Sequence, residues 1–239
     1  MSPKTKASPF AEVPKRVLVV VAHPDDAEFG CAGTVAKWAQ AGSSVFYLIC
    51  TNGNKGSSDR GMTNDKLASL RETEQKDAAS VLGVKNVTFL EHPDGELEDN
   101  KVTRGQVVRE IRKIKPNVII TSDIYGTTFY QHRDHRKAGR LALDSCYPYA
   151  RDHLHYPEHI EEGLETHKVE SAFLAGLDGA DVFVSIEDTI ELKIQALLKH
   201  ATQVEEDRIK TMIKEWGQNV GEKAGLKYAE SFRRIDFRP

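Results

Sequence analysis

Short apolar runs alternate with longer amphipathic ones along the first 146 residues. Arg16 to Ala22 is an almost unbroken run of Val and Leu, the pattern of a strand buried on both faces. Ser44 to Cys50, Val87 to Leu90 and Asn117 to Thr121 repeat it. Between them, apolar positions at helical spacing predict helices over about Cys31 to Ala41, Asp65 to Leu82, Val102 to Ile114 and Asp134 to Cys146. Gly42 and Gly83 stop the first two. After Tyr149 the pattern degrades. The stretch ARDHLHYPEHIEEGLETHKVE is acidic and histidine-rich, which predicts a long surface excursion carrying His153, His155, His159 and His167. Val169 to Leu174 and Val182 to Ile186 read as two further strands, followed by helices over about Asp188 to Ala201 and Glu205 to Trp216. The tail GEKAGLKYAESFRRIDFRP holds several aromatic residues and receives no element.

Strict alternation of strand and helix predicts an α/β fold: a Rossmann-like, mostly parallel sheet with helices on both faces. In such sheets ligands bind outside the carboxyl ends of the strands, near a switch in strand order. The polar clusters that follow the strands, His23–Asp26, Thr51–Asp59, His92–Gly95 and Asp123–His135, are therefore expected to converge on one rim, with the active site at the C-terminal strand edge. No repeat or linker divides residues 15–239, so they are read as one domain; residues 1–14 are polar and read as a flexible arm.

Composition narrows the function. A chain of 239 residues can bury a substantial core without disulfide or metal staples. The net charge of −3 and pI near 6.3 give no general attraction to nucleic acid or an anionic membrane. No apolar run approaches the ~20 residues that span a bilayer. Cys31, Cys50 and Cys146 are isolated, odd in number and lack CxxC spacing, so they read as buried thiols of a reducing compartment, with the cytoplasm as the expected address.

The first strand runs into HPDDAEFG, two like charges beside an imidazole. His23 and Asp26, at i and i+3, bring nitrogen and oxygen to one point and suit a borderline metal such as Zn²⁺. YQHRDHR, Tyr130 to Arg136, offers another imidazole at another strand end. Two histidines and a carboxylate make an open, hydrolytic type of site, and Fe²⁺ suits the same donors. Asp25 then has a purpose, as the carboxylate that takes a proton from metal-activated water. The competing reading is a plain turn, with Pro24 fixing φ and an aspartate capping the next helix, and HRDH a solvated loop. A nucleotide-binding oxidoreductase or transferase is disfavoured because neither GxGxxG nor GxxxxGK[ST] is present. A metal phosphoesterase would gather more cations or a second metal set on the rim. A non-catalytic sugar- or metal-binding protein would have no need of Asp25.

AHPDDAEFGCAGTVAKW, TNGNKGSSD, RETEQKDAASVLGV, HPDGEL, IRKIKPNVIIT, HRDHRKAG and KIQALLKHATQ, in this order, resemble the LmbE/PIG-L family of metal-dependent de-N-acetylases. GEKAGLKYAESFR and ICTNGNKGSSD are most similar to its diacetylchitobiose deacetylase branch. The resemblance spans Val17 to about Phe232. It implies His23, Asp26 and His135 as zinc ligands, Asp25 as general base, and His132 as the group that stabilises the oxyanion or protonates the leaving amine. It also implies Tyr130 near the scissile carbonyl and Asp134 behind a histidine ligand. Arg71 and Asp94 are implied near the substrate, against the alternatives of a helix-surface ion pair with Glu74 or Asp65 and a Pro-Asp-Gly turn. His200 is either an active-site wall or a helix-end structural residue. The implied partner is a small N-acetyl amino sugar or its glycoside, in a homo-oligomer, a trimer or hexamer. The glycine-rich loop and the Arg151–Lys168 excursion are the expected specificity elements. Two positions depart from the family pattern: Ala27 follows the aspartates, with Glu28 one residue later, and Arg133 replaces the proline of HPDH.

Overall fold

The structure, a computed structural model, describes residues 9–127 and 131–237. In chain order its elements are β1 (Arg16–Val21), α1 (Asp26–Gln40), β2 (Ser44–Thr51), α2 (Asn64–Leu82), β3 (Asn86–His92), α3 (Lys101–Ile114), β4 (Val118–Ser122), α4 (Arg133–Cys146), α5 (Pro157–Glu161), β5 (Ser171–Ala175), β6 (Val182–Ser185), α6 (Ile190–Leu197), α7 (Glu206–Ala224) and β7 (Ala229–Asp236). The seven strands form one sheet, ordered β3-β2-β1-β4-β5-β7-β6. Pairing is parallel from β3 to β5, and β7 lies antiparallel between β5 and β6. Strand order reverses between β1 and β4, which opens a crevice at their carboxyl ends.

Period-two alternation decides what covers each face. Val17, Val19 and Val21 pack with Trp38, Ala78 and Leu82 of α1 and α2. Leu18, Val20 and Ala22 pack with Val107, Ile111 and Leu141 of α3 and α4. Each such fully buried Val or Leu contributes about 1.5–3 kcal/mol. The helices begin at side-chain caps where the sequence supplies them: Thr63 accepts from the Lys66 N–H, and Asn100 from those of Val102 and Thr103. Gly139 lets α4 lean on the end of β4, since a Cβ there would sit 2.7 Å from the Ser122 carbonyl.

Four expectations need correcting. First, α1 begins at Asp26, not near Cys31, because Asp25 already accepts the Phe29 N–H at 3.0 Å. The helix-weakening Gly30 masked that turn in the sequence. Second, the aromatic tail is a full strand of this chain's own sheet, and α7 runs on to Ala224. Third, the arm is not loose throughout: Pro9 bridges to Phe183, and Phe10 packs on Trp38 and Phe173. Fourth, the histidine-rich excursion is fastened along α3 and contributes none of the residues of the rim site below. The buried Arg112 guanidinium donates to the carbonyls of Tyr149, Ala150, Asp152, His155 and Tyr156. His159 is buried and stacks on Tyr156 at 5.3 Å.

Candidate metal centre

β1 delivers His23 to the crevice and then turns sharply. Asp25 has φ of 99°, a left-handed conformation that costs a non-glycine residue about 1–3 kcal/mol. What holds it there is behind it: its N–H donates to Gln75 Oε1 at 2.9 Å, and Gln75 Nε2 donates in turn to the buried Glu28 carboxylate at 3.0 and 3.1 Å. Glu28 also meets His200 Nε2 at 3.2 Å. His200 is fully enclosed and stands behind Asp25 through Glu28 and Gln75.

The turn sends the two aspartates to different partners. Asp26, in the first turn of α1 where a helix favours negative charge, accepts the His23 N–H at 2.8 Å through Oδ2 and lies 2.9 Å from His135 Nε2 through Oδ1. Asp25 instead meets Arg71, whose Nη2 lies 3.3 Å from its Oδ2. Arg71 is buried and is not a surface ion pair. It donates to Pro24 O at 2.6 Å and Gly53 O at 3.1 Å, and lies 3.9 Å from Asp94, so one guanidinium joins the loops after β1, β2 and β3. Glu74 meanwhile bonds Thr202.

Asp94 is more than a turn residue. Its Oδ1 lies 2.9 Å from His23 Nε2, while Asp134, fully buried, lies 3.5 Å from the same nitrogen and accepts the Gly95 N–H at 2.7 Å. Arg133 donates to the carbonyls of Gly95 and Leu97, which fixes the loop after β3, and to Asp134 Oδ1 at 3.0 Å. His132 caps α4: its Nδ1 accepts the Asp134 N–H at 3.2 Å, which leaves Nε2 to carry the proton of the neutral ring. The ring is exposed, 4.7 Å from that of His23 and 5.5 Å from that of His135. Tyr130 lies outside the described residues.

This donor set fits a divalent cation. Ligand atoms of His23, His132 and His135 lie within 4.8 Å of one another, as do those of His23, Asp94 and Asp134, and Asp26 bridges His23 and His135. His23 Nε2 is buried and lacks an aligned hydrogen bond despite its short approach to Asp94. The electrostatics agree. Burial alone would lower the His23 imidazole, but the carboxylates of Asp26 and Asp94 outweigh it and raise the pKa to about 10. His135 is likewise raised against burial by Asp26. Burial would raise Asp26, but His135 and His23 hold it well below the carboxylate range. Asp94 is lowered by His23 despite its own desolvation. So many carboxylates demand positive charge at one point, and a metal ion with neutral imidazole ligands supplies it. Asp25 behaves differently: burial and then the Asp26 charge push it up to about 7, with Arg71 pulling the other way.

Beside Asp26 and His135 a cavity of about 590 Å³ extends over β4, β5 and β7 beneath α7. Lys193 and Glu230, 2.6 Å apart, reach it from α6 and β7. Sequence reasoning missed this pair, and it missed Gln75 and the place of Glu28. The only signal for Gln75 was its position four residues after Arg71, on the same helix face.

Comparison with known proteins agrees with this layout. Residues 18–146 match the family PIG-L, GlcNAc-PI de-N-acetylase. A diacetylchitobiose deacetylase of Thermococcus kodakarensis is 31% identical over 230 residues, covering 95% of this chain and 85% of the relative. An N,N'-diacetylchitobiose deacetylase from Pyrococcus horikoshii, solved with an inhibitor, superposes with a TM-score of 0.88 at 29% identity, covering 93% of this chain and 84% of that one. GalB, a 4-carboxy-2-hydroxymuconate hydratase from Pseudomonas putida, shares the fold with a TM-score of 0.79 at 21% identity, covering 94% and 98%. The fold therefore serves more than one reaction, and the site has to decide between them. With its profile matched over more than half its length, this chain belongs to the PIG-L family of de-N-acetylases.

Proposed function

We propose that this protein is a zinc-dependent hydrolase that removes the acetyl group of an N-acetylglucosamine-type substrate, with Asp25 as general base. The observation that carries the reading is the division of labour between the adjacent aspartates. Asp26 faces His23 and His135, while Asp25 is turned away by a strained φ and met by Arg71. Binding a metal needs only the first arrangement; taking a proton beside it needs the second.

His23, Asp26 and His135 would hold the ion, which when bound supplies Lewis acidity, polarising the amide carbonyl and making water an effective nucleophile near neutral pH. Asp25 takes the proton of the attacking water. Arg71 keeps its carboxylate in place. His132, whose Nδ1 accepts the Asp134 N–H and whose Nε2 carries the proton of the neutral ring, donates to the developing oxyanion or to the departing nitrogen. Asp134 and Asp94 fix the His23 ring. Water adds to the carbonyl carbon, the C–N bond breaks, the nitrogen leaves as the amine and acetate is released.

The relatives named for deacetylation support the substrate class. The hydratase neighbour does not bear on it at its level of identity. Among the described residues both donor groups share His23, which supports one centre over the two-metal site that a phosphoesterase reading invites. Three buried free thiols, Cys31, Cys50 and Cys146, support residence in a reducing compartment such as the cytoplasm. Among the described residues no helix is long and apolar enough to cross a membrane. Exposed Tyr125, Leu177 and Trp216 support self-association, as a trimer or hexamer, which light scattering tests.

The test is acetate release from N-acetylglucosamine and diacetylchitobiose by zinc-loaded protein, alongside 4-nitrophenyl phosphate. Acetate that disappears on chelation, returns with zinc and is lost in Asp25→Asn is expected. Phosphate release without acetate would replace the reading with the phosphoesterase.

A further inference from the structure

The turn that sets the base apart hangs on one hydrogen bond from behind. Asp25 sits at φ of 99°, and its N–H donates to Gln75 Oε1 at 2.9 Å. A side-chain amide has an accepting and a donating end of nearly the same shape, so only one of its two orientations makes that bond. Turned over, Gln75 would set its NH₂ against the Asp25 N–H. Glu28 selects the orientation: it accepts from Gln75 Nε2 at 3.0 and 3.1 Å, and a carboxylate has only acceptors to offer. Glu28 is in turn met by His200, whose Nε2 lies 3.2 Å from Oε2. All three side chains are fully buried, so bulk water cannot take the place of any partner. The turn that carries His200 is itself fastened to α2 next to Gln75, where Glu74 accepts from the Thr202 N–H and hydroxyl at 2.8 and 2.7 Å. His200 Nδ1 is buried without a partner among the described residues, so Glu28 is the polar contact that its ring makes. A ring kept for packing alone would be better replaced by an apolar side chain, which leaves no buried nitrogen unsatisfied.

We propose that Glu28 and His200 are positioning residues for the reaction: they keep the Gln75 amide oxygen towards the Asp25 N–H and thereby hold the base in its left-handed turn. The inference rests on the reading of Asp25 as general base and deepens it. Their effect reaches the reaction only through the backbone of Asp25. Without the Glu28 acceptor the amide is free to turn over, and the Asp25 N–H loses its partner. The left-handed conformation then loses what offsets its strain. The carboxylate leaves its line to the attacking water, and a small displacement is enough to slow the proton transfer.

The experiment is a double-mutant cycle on acetate release from diacetylchitobiose by zinc-loaded protein. His200→Leu removes the contact to Glu28 at little change in volume, and His200→Gln offers Glu28 another N–H. Glu28→Gln keeps the shape of the second residue and lets the Gln75 amide turn. His200→Leu and Glu28→Gln should each lower kcat by about ten- to a hundredfold, with KM shifted less than about twofold and zinc still stoichiometric. His200→Gln should recover most of the loss. In an Asp25→Asn background, read at high enzyme concentration, no base is left to position, and either substitution should cost less than about twofold. Equal losses in both backgrounds overturn the proposal, because the damage then does not pass through Asp25. So does a rise in KM or a loss of zinc in step with kcat, and so does full activity in both single variants. If His200→Leu does not fold, the isosteric Glu28→Gln carries the cycle alone. Failure of the underlying reading shows earlier and separately: wild-type protein that releases no acetate, or Asp25→Asn protein as active as wild type, removes the base and with it the proposal.

Discussion

Over β1, β2 and β3 the rim is closed by hydrogen bonds, whereas over β4, β5 and β7 it opens on an apolar cavity. On the first flank a single guanidinium ties Pro24, Gly53 and Asp25 together, and Gln75 grips the Asp25 backbone from behind. On the second, a buried ion pair is sealed against backbone groups, and the remaining walls come from the ends of β4, β5 and β7 and from α1 and α7. The difference separates two requirements of one reaction. Groups that move protons must be held within a fraction of an ångström, and the polar flank does that with several cross-braces. A pocket that receives substrate needs volume, and the second flank supplies it.

Variants on the two flanks should therefore fail in different ways. The largest effect is expected for Asp25→Asn, which removes the base and keeps the shape. Turnover should fall by about 10²–10⁴-fold while zinc content, read by metal analysis, stays stoichiometric. Loss of zinc in parallel would instead make Asp25 a ligand. On the apolar flank, Lys193→Met should act on stability. It leaves the Glu230 carboxylate buried without its cation, and breaking such a pair costs about 3–5 kcal/mol. The urea midpoint should fall at unchanged m-value, and Lys193→Met/Glu230→Gln should recover much of the loss. Recovery would establish that the pair is scaffold for the cavity and not a binding group.

The same contrast separates what the sequence disclosed from what it hid. β1 to β4 were legible because a central parallel strand is a continuous apolar run, and the polar residues that meet at the rim follow those runs directly. His23, Asp26, Asp94, Asp134 and His135 could thus be brought to one point without coordinates. β7 was not legible, because its partners β5 and β6 lie more than forty residues away in sequence and Glu230 in its interior reads as surface. That charge is buried only because Lys193 and two helix N–H groups meet it, and no local pattern encodes such a meeting. Arg71 and His200 were picked out, but their burial against Asp25 and Glu28 was not legible. Sequence marks a residue as unusual, yet burial decides whether it touches substrate or the residue that does.

Smaller effects sharpen the polar flank. Gln75→Leu removes the acceptor for the Asp25 N–H and the donor to Glu28, at about 1–3 kcal/mol for each buried group left unsatisfied. Because the strained Asp25 turn depends on it, kcat should drop more than KM changes, and an equal shift in both would place Gln75 in substrate binding. The mildest change is Gly53→Ala. Its φ of +61° makes any side chain cost roughly 1–2 kcal/mol, a fall of several degrees in Tm for a chain of this size. The added Cβ would also sit 2.8 Å from Arg71 Cζ and press the guanidinium towards Asp25. Gly42→Ala separates these two causes. It carries the same kind of strain at φ +95°, has nothing within 4 Å of the new Cβ, and lies just beyond α1 at the opposite end from the site. The two variants should lose similar stability by thermal melt, and only Gly53→Ala should lose activity, by several-fold. Equal activities would mean that the position of Arg71 has no influence on the base, and the bracing ascribed to the polar flank would reduce to stability alone.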